Sequence, residues 1–386
     1  MREISIGMVG YKFMGKAHSN AYSTVGRFFD LDATPVMRCL AGRSAEGARA
    51  AAERLGWASS TGHWEELVDR DDVEIVDISA PSIVHRDVAL RAAEKGKHIF
   101  CEKPLAFTVA EGVEMVRAAK KAGIVHMVGF NYRRVPALAL ARQLIDEGCL
   151  GRIHHVRATY LQDWLLDPQF PMNWRLRMKQ AGSGSHGDLG AHLIDTAHYL
   201  VGGIREVIGM AETFVKIRPA EGTSSGLSAT AGSGTEAVDV DDATLFLARF
   251  ENGALGSFEA TRFAGGHKNG NHIEINGSKG SLAFGLERMN ELELYSVDDP
   301  PHARGFRTIL ATEPMHPYVG PWWPPGHVLG YEHTFVHEVA DFINAITQRK
   351  PVAPDFVDGL KVQCVLEAVE KSIDSRSWTR VVVPEI

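Results

Sequence analysis

The sequence has little cysteine. Only Cys39, Cys101, Cys149 and Cys364 occur in 386 residues, and none stands in a Cys-x-x-Cys pair. That dispersion excludes a zinc ribbon and a thioredoxin-like site, and it fits a reducing cytosol. Long apolar runs are also missing. No stretch reaches 18 residues, which excludes a membrane-spanning helix on length. An excess of positive charge is absent too: 41 Lys and Arg stand against 48 Asp and Glu, a net charge of −7. Nucleic acid and anionic membrane surfaces are therefore poor partners for this chain. Met1–Gly7 runs straight into a strand-like pattern with neither an apolar core segment nor a cleavage site, so no signal peptide is expected. The expected location is the cytoplasm. Apolar residues at 45% and charged residues at 23% are ordinary for a globular chain. The length points to two or three domains.

What is present is an alternation. Ile4–Val9, Pro35–Ala41, Val73–Ser79, His98–Cys101 and Val125–Phe130 are short apolar runs. Between them lie stretches with helical spacing at Ala45–Leu55, Val84–Lys95 and Val109–Ala122, each followed closely by Gly56, Gly96 or Gly123. Glycine there closes a helix cheaply in the left-handed region. Strand alternating with helix predicts a parallel α/β sheet of the doubly wound Rossmann type over residues 1–130. Beyond 130 the pattern changes. Helices are expected at Pro136–Glu147 and Asp188–Leu200. Strands dominate from Val207, with Glu251-Asn252-Gly253 as a hairpin turn. Ala220–Thr235, rich in Gly, Ser, Thr and Ala, reads as a surface loop. Final helices are expected at His333–Thr347 and Val357–Asp374. Residues 131–386 are thus expected to form an α+β domain on a large, mainly antiparallel sheet, its C-terminal helices packing back on the first domain.

Gly10-Tyr-Lys12-Phe13-Met14-Gly15 follows the first strand. Amides at a helix N-terminus bind a pyrophosphate, and glycines allow close approach. Gly10 and Gly15 match the outer positions of G-x-G-x-x-G, while Lys12 replaces the middle glycine and brings a positive charge. At the end of the second strand stands Gly42-Arg43-Ser44, with no carboxylate to bond a ribose 2′-hydroxyl. Arg43 and Ser44 suit a 2′-phosphate, which favours NADP over NAD. Stacking of Arg43 on the adenine of NAD is the alternative. Glu102 and Lys103 complete the expected cofactor set.

Two further segments carry chemistry. Glu102-Lys103-Pro104 ends a strand, where open parallel sheets bind ligands. Asp188-x-x-x-His192 has helical i, i+4 spacing, with Asp195 one turn further. A histidine pKa near 6.5 suits proton transfer at neutral pH. Together with the glycine loop, these segments resemble the Gfo/Idh/MocA oxidoreductase family over essentially the whole chain. Gly15-Lys16-Ala17-His18-Ser19, Asn131-Tyr132-Arg133-Arg134, Tyr160-Leu161-Gln162-Asp163-Trp164 and Ala181-Gly182-Ser183-Gly184 are similar to its anhydrosugar-oxidising branch. The resemblance implies that Lys103 and His192 are a catalytic pair assisted by Asp188. It also implies that Lys103, Tyr132, Gln162, Trp174, Asp188 and His192 surround a sugar.

The implied reaction is NAD(P)-dependent oxidation of a secondary hydroxyl of a sugar or levoglucosan-like anhydrosugar, at C3, to a ketone. Alternatives are an inositol or cyclitol dehydrogenase, a dinucleotide-dependent glycoside-cleaving enzyme and a non-catalytic dinucleotide sensor. A homodimer or homotetramer is implied by resemblance. No metal is expected: His154 and His155 are neighbours in a strand and point to opposite faces. Asp239-Val-Asp241-Asp242 lacks the glycine and distal glutamate of a calcium loop and reads as a solvated strand start. Trp322 and Trp323 read as loop packing.

Overall fold

A computed structural model describes residues 2–225 and 228–386. The chain divides into two units. The first comprises residues 1–131, 330–363 and 384–386, and the second 132–329 and 364–383. The segment from Gly330 to Gln363 therefore belongs with the first unit, although it follows the second in sequence.

The first unit contains strands β1 (Arg2–Val9), β2 (Ala33–Ala41), β3 (Ser60–Thr61), β4 (Ile75–Ile78), β5 (His98–Glu102) and β6 (His126–Gly129). They form one sheet in the order β3-β2-β1-β4-β5-β6, and every pair is parallel. Helices α1 (Phe13–Thr24), α2 (Ala45–Leu55), α3 (Trp64–Val68), α4 (His85–Glu94) and α5 (Val109–Ala122) connect the strands. Ile4 to Val9 are buried without alternation, as expected of a central strand covered on both faces. The helix ends follow from local chemistry. Ser44 and Thr108 accept from the amides of Gly47 and Glu111 to cap α2 and α5. Gly56 and Gly123 close the same helices at φ 84° and 64°. The strand order reverses between β1 and β4, and such a switch point leaves a ligand crevice at the strand C-termini.

The second unit opens with α6 (Pro136–Asp146), β7 (Ile153–Leu161), α7 (Met178–Ala181) and α8 (Ala191–Leu200). Strands β8 (Ile204–Glu212), β9 (Ile217–Ser225), β10 (Ser228–Ala237), β11 (Ala243–Phe250), β12 (Leu255–Thr261), β13 (Gly270–Gly277), β14 (Gly280–Gly285), β15 (Glu291–Ser296) and β16 (Arg307–Leu310) follow, with β17 (Thr379–Arg380) near the C-terminus. Nine strands form one sheet, in the order β16-β15-β14-β13-β7-β12-β11-β8-β17. Its pairs are antiparallel except β7 with β12. Along β11 the burial alternates strictly from Thr244 to Phe250, so one face packs and the other is open. Helix α9 (Tyr331–Gln348) belongs to the first unit and packs on α1, and α10 (Phe356–Ser375) precedes β17.

The expected loop over 220–235 instead carries two paired strands, with residues 220–225 in β9 and 228–235 in β10, antiparallel to each other; residues 226–227 of that expectation lie outside the described residues. Small polar residues give no apolar alternation to read, so the backbone ladder alone defines it. Its base is pinned by Arg218, fully buried, whose guanidinium donates to the carbonyls of Leu165, Asp167 and Phe170. Apolar Leu165, Met172, Leu176, Val238 and Val240 pack beneath.

Candidate active site

In the first unit, the turn after β1 is shaped by two glycines. Gly10 has φ 105°, and a Cβ there would lie 2.6 Å from the Ser79 carbonyl oxygen. A Cβ on Gly15 would lie 2.3 Å from the Gly10 carbonyl oxygen. Both positions exclude a side chain, and the Gly10 amide donates to Ala41 at 2.9 Å, joining this turn to the end of β2. Lys12 is the exposed N-cap residue of α1 and offers no side-chain cap, and no acidic residue stands in the first turn. The α1 amides thus present positive potential at a close-approach turn, which fits a dinucleotide pyrophosphate. Phe13 is exposed, and its ring stacks at 6.4 Å on Tyr331, while Met14 is half-buried. Arg43 and Ser44 are exposed at the next turn, and Ser44 accepts from the Gly47 amide at 3.1 Å. Tyr11 fills the space above Gly42 and Gly47, where any Cβ would meet its ring or hydroxyl.

Glu102 ends β5 and is buried, whereas Lys103 is half-exposed beside it. The Lys103 amide donates to Glu102 Oε2 at 3.3 Å. The other Glu102 oxygen lies 2.9 Å from His18 Nε2, and His18 Nδ1 lies 2.8 Å from Asp77 Oδ2.

In the second unit four of the expected sugar-site residues, Tyr132, Gln162, Asp188 and His192, are linked through their neighbours. Tyr132 sits in the short helical turn Asn131–Arg134, and its ring lies 4.4 Å from that of His192. Its hydroxyl is 2.8 Å from the Tyr160 hydroxyl. Tyr160 in turn donates to Asn269 Oδ1 at 2.7 Å, and Gln162 Nε2 donates to the same oxygen at 3.1 Å. Trp164 Nε1 donates to Gln162 Oε1 at 2.9 Å. Arg262 lies 5.3 Å over the Trp164 ring and bonds Asp188 at 2.9 Å. Tyr132, His192, Gln162 and Asp188 are thus joined through Tyr160, Asn269, Trp164 and Arg262. Trp174 is half-buried, with the Arg175 guanidinium 4.4 Å over its ring. Burial holds the Arg175 pKa below its ordinary value despite the nearby Asp188.

The helix expected over Asp188–Leu200 is broken differently. His186–Gly190 form a π turn before α8, so Asp188 does not share a regular α-helical face with His192. Asp195 forms a buried ion pair with Arg133 at 2.6 Å. Of the strand start expected to be solvated, Asp239 is exposed, but Asp241 is half-buried and Asp242 fully buried. Asp241 accepts from the amides of Gly184 and His186 at 2.8 Å each and from the Ser185 and Thr244 hydroxyls, capping the turn that bears Asp188. Burial raises its pKa, but His186, the Ser185 hydroxyl and the His186 amide outweigh that and hold it below the usual range. Asp242 is fully buried and accepts from the amides of Phe214 and Val215. Among the described residues, no three His, Cys, Asp or Glu side chains are grouped to hold a metal.

Residues 4–130 match a family profile described as an oxidoreductase family with an NAD-binding Rossmann fold, and residues 138–283 match the GFO/IDH/MocA C-terminal domain. Levoglucosan dehydrogenase of Pseudarthrobacter phenanthrenivorans is 44% identical over 391 residues, covering 100% of both chains. The chain belongs to the Gfo/Idh/MocA oxidoreductase family. Among solved structures, an oxidoreductase domain protein from Kribbella flavida is 54% identical with a TM-score of 0.95 over 100% of both chains. Levoglucosan dehydrogenase in complex with NADH and levoglucosan is 43% identical, with a TM-score of 0.94 over 99% of this chain and 100% of its own.

This Gfo/Idh/MocA oxidoreductase uses supporting residues that no local sequence pattern marks. Arg262 and Asn269 carry no motif and become visible only once strands are registered, and Asp241, expected to face solvent, proves to cap the turn that bears Asp188. Tyr160 and His18 lie inside the family-like segments, yet their partners lie more than 25 positions away.

Proposed function

We propose that this oxidoreductase oxidises a secondary hydroxyl of a pyranose or anhydrosugar, levoglucosan or a close analogue, at C3, to the ketone. The polar network around His192 carries this reading. Tyr132, Tyr160, Gln162 and Asn269 offer donors and acceptors in a fixed array, and Trp164 and Trp174 offer apolar faces, which is what a polyhydroxylated ring requires. The full-length likeness to a levoglucosan dehydrogenase supports the substrate class.

When bound, the nicotinamide accepts the hydride. The protein supplies the rest. His192 takes the hydroxyl proton. Lys103 donates hydrogen bonds to the same oxygen and stabilises its developing negative charge. Asp188, held by Arg262, fixes a neighbouring hydroxyl. Gln162 and Tyr132 orient the ring.

NAD is the working cofactor in this reading, because structures of the levoglucosan dehydrogenase relative hold NADH. NADP is the second reading, supported by exposed Arg43 at the end of β2. Ser44 accepts from the Gly47 amide and keeps its O–H as a donor. A homo-oligomer is also proposed. Met210, Leu245, Leu247 and Leu255 are exposed on neighbouring strands of the large sheet, an apolar face suited to a second copy. A cytoplasmic location is proposed from the cysteine usage, and no described helix is long and apolar enough to cross a membrane.

The test is a panel of anhydrosugars, pyranoses and cyclitols, run with NAD and with NADP and followed by reduced-nicotinamide absorbance. Levoglucosan-class substrates should reduce the cofactor in proportion to ketone formed. Substrate consumption without net reduction would instead favour glycoside cleavage.

A further inference from the structure

His18 has no place in the chemistry above, yet it lies between two buried carboxylates. It is fully buried, with the rings of Phe100 and Phe335 at 4.8 Å and 5.5 Å. Asp77 is also fully buried, and Glu102 nearly so. Each ring nitrogen of His18 faces a carboxylate oxygen. A neutral imidazole has one N–H, so the second contact demands another proton in the triad. Burial alone would lower the His18 pKa, but Asp77 and Glu102 outweigh it and hold the ring well above its ordinary value. The Tyr22 hydroxyl donates to Asp77 Oδ2 at 2.9 Å and the Ser79 hydroxyl to Oδ1 at 2.7 Å. An imidazolium clamped between two carboxylates therefore ties α1 to the ends of β4 and β5.

The clamp ends on Lys103. Glu102 divides its carboxylate, one oxygen facing His18 and the other taking the Lys103 amide. Gly129 on β6 makes room for it: a Cβ there would lie 2.7 Å from Glu102 Oε1. We propose that His18 is a positioning residue for Lys103, fixing through Glu102 the point where the Lys103 peptide leaves β5. This inference rests on the role assigned to Lys103 in the proposed function. A lysine that must meet a reacting oxygen needs its backbone held closely, and a misplacement of about 1 Å can cost about a hundredfold in rate.

The test compares His18→Gln, Asp77→Asn and Lys103→Ala in the full chain, at saturating NAD and saturating sugar, with turnover counted per NADH bound. His18→Gln should lose about ten- to a hundredfold in kcat. A loss of about threefold or more supports the inference, and a smaller loss overturns it whatever happens to the melting temperature. A histidine that served stability alone would lower yield and Tm but leave turnover per bound cofactor intact. If His18→Gln does not fold, Asp77→Asn is judged by the same criterion. Lys103→Ala separates the two failures. If it keeps turnover, the role of Lys103 falls and takes this inference with it. If it loses turnover while His18→Gln keeps it, only the positioning role falls.

Discussion

The rings of Tyr132 and His192 lie 4.4 Å apart, centroid to centroid, at an interplanar angle of 33°. Both side chains are buried, and the Tyr132 hydroxyl is tied to Tyr160. The imidazole proposed to take the substrate proton is therefore packed against an aromatic face that is itself held in place.

Tyr132→Phe keeps that face and removes the hydroxyl contact. It should cost about 1 kcal/mol of stability and about two- to tenfold in kcat. Tyr132→Ala removes the face as well and should cost about 3–5 kcal/mol. Urea unfolding and steady-state kinetics on both variants check this. Equal activity in the two would mean that the ring contact does not orient His192.

Arg262→Ala should be more damaging than its distance from any catalytic motif suggests. Arg262 is 1% exposed and pairs with Asp188. Removing one partner of a buried pair costs about 3–5 kcal/mol, and the partial exposure of Asp188 places this case at the lower end. The KM for sugar should rise with it. Arg262→Lys should not restore wild-type KM, because an ammonium cannot reproduce the planar fork. A KM unchanged in both variants would remove Asp188 from the sugar site.

Much of this was legible in the sequence. Most of the first unit was, because its main strands are apolar runs and α2 and α5 carry Ser, Thr and Gly caps at their ends; the short β3 and α3 were not. Helices α2 and α5 end where their glycines stand. The β9–β10 hairpin was not, because alternation is unreadable among Ala, Gly, Ser and Thr. The charged support was also hidden. Asp188 and His192 share four-residue spacing, but a π turn changes their geometry, and nothing local announces a π turn. Asp241 looks like a solvent-facing acid until the segment that leads into β11 is placed beside Gly184. A Cβ on Gly184 would lie only 1.8 Å from the Asp241 carbonyl oxygen.

Asp241 gives a pH prediction. Its folded pKa lies below the ordinary carboxylate value. Its stabilisation is complete above the ordinary value and is lost as pH falls through the folded one. Asp241→Asn should therefore be less stable at neutral pH, by about 1–3 kcal/mol. It should also lose less further stability than wild type between about pH 5 and pH 2. Melting temperatures across that range decide it. Parallel curves would show that Asp241 is not a charged cap.

Gly10→Ala tests the close-approach turn. The residue would hold a strained φ, costing about 1–3 kcal/mol, and its Cβ would press on the Ser79 carbonyl. NADH affinity should fall by at least about tenfold, measured by fluorescence titration. An unchanged Kd would place the pyrophosphate elsewhere.

The most direct measurement is steady-state turnover beside NADH binding in Lys103→Ala and His192→Ala. The account predicts that each loses about 10²–10⁴-fold in kcat, while the NADH Kd stays within about threefold of wild type. Turnover within about threefold of wild type in either variant would contradict it.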